Sequence, residues 1–270
     1  MKVNKADEFY KILERKAIYP VFQPIVNLQT GRLSGYEALS RIDRSSTTLT
    51  ISDLFVIAEQ LGCVWKLEKL CRNKALKAAV EKPENVKLFL NVDGNIIQDK
   101  AFIQGFTNRK AMKAGVPASD IVFEITERSD IENYQILQQI MKHYADQGYE
   151  IALDDVGAGH SGLNRVVNTT PDYLKADIEL VRDIHKYKKK EIMMKLLLDY
   201  CNATGAILIA EGIETAEELE CLHSLGVHYG QGYFLGKPER IFGRVSDEAE
   251  EILERLNGKE NILFLDISGK

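Results

Sequence analysis

Short apolar runs, several of them closing on an acidic or amide residue, alternate along this chain with stretches whose apolar residues recur at helical spacing. Strand-like runs occupy residues 19–25, 33–40, 87–92, 121–126, 150–155, 173–177, 206–210 and 227–233. Helical patterns occupy 52–79, with a break near Gly62, and 101–114, 134–147, 161–167, 188–203 and 216–225. Regular alternation of the two predicts a mostly parallel sheet wrapped by helices. The first two strands are joined only by residues 27–31, too few for a helical crossover, so that pair is expected to be an antiparallel hairpin. The expected fold is α/β: a TIM-like (β/α)8 barrel with an antiparallel first strand pair, an N-terminal helix over 6–16, and a C-terminal extension. The extension has a helix near 247–256 and an apolar piece, 262–267, to which the pattern assigns no role. No Gly/Ser-rich linker divides the chain, so a single domain over 1–270 is expected, with the barrel over about 17–242 and the extension over about 243–270.

The polar residues at the ends of the apolar runs are Glu37, Asn91, Glu124, Asp154, Asp155, Glu211 and Gln231. Closing the strands into a barrel brings such ends together on one face, where barrel active sites lie. Singly, each has an ordinary structural explanation as a helix cap or surface pair. Glu37, Leu39 and Arg41 share one strand face, so Glu37 and Arg41 could simply pair. Together they suggest a metal site. Asp154 and Asp155 are the strongest local signal, because adjacent carboxylates at the end of an apolar strand repel unless cations or a positive partner lie between them. Asn91 adds a neutral oxygen and Glu124 a charged one, a mixture that hard divalent cations accept. Glu127, beyond its strand end, suits an orienting role better than ligation. Lys175 and Asp177 share a face of the sixth strand; the lysine could position a water and stabilise developing negative charge, or neutralise Asp154. Gln23 lies on the strand neighbouring Glu37.

Gly157, Gly159 and Gly162 spell G-x-G-x-x-G between a strand and a helix, and Asp177 follows at a distance that imitates a dinucleotide-binding fingerprint. That reading fails, because Asp154 and Asp155 would face a pyrophosphate and the helix before Pro171 is too short for a crossover. The glycines are better read as a mobile loop, and His160 within it carries no assigned role.

The 270 residues are 45% hydrophobic, enough for a sizeable core, and no stretch approaches a membrane-spanning apolar length. The charged N-terminus lacks a signal-peptide core, so a soluble cytoplasmic protein without membrane insertion is expected. Cys63, Cys71, Cys201 and Cys221 form no C-x-x-C pair and read as structural thiols. A net charge of −5 without a basic stripe argues against a nucleic-acid duplex as partner, and the run from Lys186 to Lys190 reads as a solvated helix face. An acidic site still accepts an anionic substrate once divalent cations invert the local charge.

Taken in order, Gln23-Pro24-Ile25, Glu37-Ala38-Leu39-Ser40-Arg41, Asn91, Glu124-Ile125-Thr126-Glu127, Asp154-Asp155, Lys175, Ala210-Glu211-Gly212 and Gln231-Gly232-Tyr233 resemble the EAL family of cyclic di-GMP phosphodiesterases, named for the tripeptide at Glu37. The resemblance covers about residues 19–238. It implies a bacterial second-messenger signalling enzyme that opens cyclic di-GMP to linear pGpG with two Mg²⁺ or Mn²⁺ ions, Ca²⁺ being inhibitory. By resemblance, Glu37, Asn91, Glu124 and Asp154 hold one ion, and Asp154, Asp155 and Glu211 the other. Lys175 holds the attacking water, with Gln231 helping through the water shell. Gln23, Leu39, Arg41 and Asp177 touch the nucleotide, Arg41 on phosphate and Asp177 toward guanine. Glu127 anchors the loop after Asp155, Glu214 supports the site, and the protein is a homodimer.

Three positions depart from the family pattern: the loop Val156, Ala158, His160, Gly162, where aromatic and serine residues are usual; Asp93-Gly94 in place of serine and proline; and Ala176 in place of isoleucine. They leave open a receptor that binds cyclic di-GMP with weak turnover or none. A protein-interaction module on a retired enzyme scaffold is disfavoured by the complete ligand set.

Overall fold

The computed structural model describes residues 5–43, 47–94, 96–126, 134–157 and 162–267. Eight strands close into a barrel in sequence order: β1 (Ile18–Asn27), β2 (Leu33–Ile42), β3 (Lys87–Asp93), β4 (Ile121–Thr126), β5 (Glu150–Val156), β6 (Tyr173–Ala176), β7 (Ile207–Ala210) and β8 (Tyr229–Gln231). β1 runs antiparallel to β2, as the short connection requires, and antiparallel to β8 across the closing seam. The remaining neighbours are parallel. The hairpin turn is built on Asn27, whose Oδ1 accepts from the backbone N–H groups of Gln29 (2.9 Å) and Thr30 (3.0 Å).

The helices are α1 (Lys5–Arg15), α2 (Ile51–Gln60), α3 (Val64–Ala78), α4 (Phe106–Ala114), α5 (Tyr134–Ala145), α6 (Gly162–Val167), α7 (Ile178–Val181), α8 (Lys188–Thr204), α9 (Ala216–Ser224) and α10 (Asp247–Ile267). Thr50 and Asp53 start α2 with a reciprocal capping box, and Thr215 and Glu218 do the same for α9. The long helical pattern 52–79 is two helices, parted at 61–63 as expected. α4 begins five residues later than its pattern suggests, because Gly105 takes a left-handed φ of 67° and Asp99 Oδ1 binds the Ala101 N–H in a local turn. β8 is shorter than its apolar run, and α10 continues through the apolar piece 262–267.

The sheet separates two cores. Outward residues such as Leu88, Leu90, Phe123, Ile125, Leu153, Leu174 and Leu208 pack beneath the helices. Inward residues Ile25, Phe89, Val122, Ala152, Tyr173 and Ile209 fill the barrel itself, Phe89 and Tyr173 meeting edge to face at 5.2 Å from β3 and β6. The interior is therefore a packed plug rather than a pore, and it forms the floor of the mouth above. Below it, Lys87 and Tyr173 converge on Glu150, at 2.7 and 2.8 Å. Phe9 and Ile12 of α1 are buried in a separate cluster with Ile18, Ile42, Leu54 and Ile57, and each such side chain contributes about 1.5–3 kcal/mol. No described helix is long and apolar enough to cross a membrane.

Candidate active site

The site follows from strand alternation above the plug. Two residues beyond each interior side chain, on the same face, stands a polar one: Asn91 after Phe89, Glu124 after Val122, Asp154 after Ala152, Lys175 after Tyr173, Glu211 after Ile209 and Gln231 after Tyr229. β1 runs the other way, so Gln23 stands two residues before Ile25, and it pairs in register with Glu37. Alternation alone would turn Asp155 away from Asp154. The β5–β6 register slips between Leu153 and Val156, and Asp155 adopts a left-handed φ of 55°, so both carboxylates serve the mouth. A non-glycine residue in that conformation costs about 1–2 kcal/mol, and an irregularity that re-aims a side chain beside a site is where such strain is found.

Lys175 is the hub. Its Nζ lies 2.7 Å from Glu211 Oε1, 2.8 Å from Glu124 Oε1, 3.2 Å from Asp154 Oδ1 and 3.6 Å from Glu37 Oε2. On one side, Asn91 Nδ2 donates to Glu37 Oε1 (2.9 Å) and Glu124 Oε2 (3.3 Å). Gln231 Nε2 donates to Glu37 Oε2 (2.6 Å) and Gln23 Oε1 (3.2 Å), and Gln23 Nε2 to the Gly236 carbonyl (3.1 Å). On the other side, oxygens of Asp154, Asp155 and Glu211 all lie within 4.8 Å of one another.

The electrostatics are short of positive charge. Burial opposes the Lys175 ammonium, but Asp154, Glu124, Glu211 and Glu37 outweigh it and hold its pKa well above the ordinary lysine value. Burial, reinforced by Glu37, pushes Glu124 well above the usual carboxylate range; burial also raises Glu211, despite Lys175. Glu37 is held low: Lys175, Gln231 and Asn91 overcome its burial. One ammonium thus faces four converging acids, and divalent cations would add positive charge to the cluster. The donors are all oxygens, which suits Mg²⁺ or Mn²⁺ better than zinc. Asn91 presents its NH₂ to the acids here, and a half-turn of its amide offers Oδ1 to a cation from the same place. Among the described residues, Gln231 Oε1 is buried without a hydrogen-bond partner. The residues present fit a divalent-cation site.

A cavity of about 690 Å³ opens from Glu37, Asn91, Asp154 and Asp155 across Leu39 and Arg41 to α2 and α3, a size typical of small-molecule sites. Arg41 and Glu37 form no ion pair among the described residues; Arg41 Nη1 binds the Ser40 carbonyl at 3.0 Å. Asp177, two residues past Lys175, is outside the residues that line the cavity and caps α7 by accepting from Glu179 N–H at 2.8 Å. Glu214 stands apart from the acids and pairs with Arg182 at 2.5 Å. Glu127 and His160 lie outside the described residues. Lys186 and Lys188 are spent on Asp183 and Glu191, in keeping with a solvated face.

Sequence reasoning missed the outer wall of the cavity: Phe55 and Glu59 on α2, and Glu68, Cys71 and Arg72 on α3. Glu68 and Arg72 form a buried pair at 2.7 Å, and Glu68 also accepts the Asp93 N–H at 2.5 Å, two residues past Asn91. Their i,i+4 spacing inside an otherwise core-facing helix was the available signal.

An eight-stranded α/β barrel whose strand ends gather five acids, two amides and a lysine defines a barrel protein with an acidic, oxygen-lined mouth. The chain belongs to the EAL domain family, whose model matches residues 6–238. It is 28% identical over 251 residues to the Escherichia coli K12 protein described as a probable cyclic di-GMP phosphodiesterase, PdeG, covering 87% of this chain and 48% of that protein. This chain thus spans about half the length of that relative. Among solved structures it is similar to a cyclic di-GMP-bound standalone EAL protein from Vibrio cholerae O395, with a TM-score of 0.74 and 28% identity, over 86% of this chain and 97% of that one. It is also similar to Klebsiella pneumoniae BlrP1 in complex with manganese and cyclic di-GMP, with a TM-score of 0.74 and 28% identity, over 83% and 56% of the two chains.

Proposed function

We propose that this chain is a divalent-metal-dependent phosphodiesterase that hydrolyses cyclic di-GMP to linear pGpG. The observation that carries the reading is Lys175, 1% exposed, with acids from β2, β4 and β5 and the β7 end all within 3.6 Å. An ammonium at the centre of the acids that would hold the ions is placed to act on a water bound among them. Mg²⁺ or Mn²⁺ bound there would supply an activated water and neutralise the phosphoryl and leaving oxygens. Glu37, Asn91, Glu124 and Asp154 would hold one ion, and Asp154, Asp155 and Glu211 the second. Lys175 keeps its proton, orients the attacking water and stabilises negative charge as it develops. Gln231 and Gln23 hold Glu37 in place. Leu39 and Arg41 line the path to the cavity, where Arg41 meets phosphate and Asp177 a guanine edge. Glu127 and Glu214 steady the flanking loops. The reading includes a cytoplasmic homodimer.

The test is chromatography of cyclic di-GMP incubated with the protein and Mg²⁺ or Mn²⁺, beside EDTA and Ca²⁺ controls. Metal-dependent pGpG supports the enzyme. Bound but intact nucleotide in both metals would make the chain a receptor and direct attention to the altered loop after Asp155.

A further inference from the structure

α7 joins the strand ends that carry the proposed ligands of the second cation. Asp177 caps its start, and Lys190 of α8 closes its end by donating to the carbonyls of Glu179 (2.5 Å) and Arg182 (2.6 Å). Four residues do not sustain a helix alone, so these contacts hold it. The backbone joins it to both neighbours: Asp177 N–H donates to the Val156 carbonyl at 3.1 Å, and Glu211 N–H to the Ala176 carbonyl at 3.0 Å.

The apolar side chains of α7 press on two glycines. A Cβ on Gly212 would stand 2.3 Å from Ile178 Cγ1, and one on Gly157 would stand 2.5 Å from Leu180 Cδ1. Both glycines have left-handed φ, +70° and +105°. Gly212 directly follows Glu211, and Gly157 follows Asp155 by two residues, so a displacement of either glycine is passed to a carboxylate one or two peptides away. We propose that Ile178 and Leu180 are positioning residues for the cation held by Asp154, Asp155 and Glu211, setting the spacing of the β5 and β7 ends that bear its ligands by filling the room that Gly212 and Gly157 leave. The other ion would share Asp154 but draw Glu37, Asn91 and Glu124 from β2, β3 and β4, which this contact does not touch. The inference rests on the two-cation reading above.

Calorimetric titration of the full chain with Mn²⁺, without nucleotide, tests it. Wild type should bind two ions. Leu180→Ala and Ile178→Ala should weaken one site by roughly 10–100-fold, as removal of supporting contacts around a metal does, and weaken the other, which shares only Asp154, far less. Leu180→Met and Ile178→Val, which keep most of the volume, should restore near-wild-type titrations, and Leu180→Val offers a milder truncation if alanine prevents folding. Melting curves in EDTA control for a general loss of structure, which would weaken both sites together. Two unchanged sites in the alanine variants, or two sites weakened equally, would overturn the proposal. A wild type that binds fewer than two ions would instead sink the two-cation reading, and this inference with it.

Discussion

Replacing Lys175 by methionine keeps the length of the side chain and deletes the ammonium. Lys175 is 1% exposed and Glu124 0%, and four acids approach Nζ within 2.7–3.6 Å, so the variant leaves buried carboxylates facing one another without a counter-charge. Removing one partner of a buried ion pair costs about 3–5 kcal/mol. For a chain of this size each kcal/mol moves the melting temperature by about 2–4 °C, so metal-free Lys175→Met should melt roughly 6–20 °C below wild type at pH 7.5. Two controls separate charge from packing. Lowering the pH to 5 favours the neutral form of Glu124 and Glu211, whose carboxyls burial raises, so the deficit should shrink. Saturating Mn²⁺ replaces the missing charge, so the deficit should shrink again, and the variant should gain more stability from the ion than wild type does. Differential scanning calorimetry in EDTA and in Mn²⁺ at both pH values reads all four quantities. Equal melting temperatures in EDTA, or a deficit indifferent to both pH and metal, would refute the view of Lys175 as the resident cation of the acid cluster.

Burial pushes the Glu68 carboxyl up to about 7 even with Arg72 beside it. The folded state therefore holds a proton that the unfolded state releases near pH 4.5, and stability should fall as pH rises from there through about 7. Glu68→Gln should flatten that slope in urea unfolding series at pH 5 and 8, and an unchanged slope would assign it elsewhere. Asp155→Gly removes a carboxylate assigned to the second ion, so Mn²⁺-dependent turnover should be lost, while relief of a φ of 55° returns about 1–2 kcal/mol against the contacts the side chain gives up; full turnover in the variant would remove Asp155 from the ligand set. Exchanging Mn²⁺ for Ca²⁺ should leave cyclic di-GMP bound and uncut, and pGpG formed in Ca²⁺ would remove the metal-selectivity argument.

The barrel was legible because burial on two sides writes itself into a strand as an apolar run, and a polar residue ending that run on the inner face has nowhere to go but the mouth. Asn91, Glu124, Asp154, Lys175, Glu211 and Gln231 obey this rule, each two positions beyond an interior plug residue, so the polar ends of the apolar runs singled out all but Lys175 without any knowledge of their partners. What stayed hidden depends on contacts that no local pattern encodes. α7 has only four residues, less than two helical turns, and exists because Asp177, Lys190 and the flanking loops hold it. The aim of Asp155 depends on a register slip against β6, a property of two strands rather than one. Whether Lys175 neutralises Asp154 alone could not be decided along the chain either, since its other partners come from β2, β4 and the β7 end and meet only when the barrel closes. Single-strand alternation names the residues that reach the mouth, then, while the charge balance among them is a property of closure. For that reason the Lys175 variant, in which the balance is altered and the strand pattern is kept, is a sharper probe of the site than removal of any one acid.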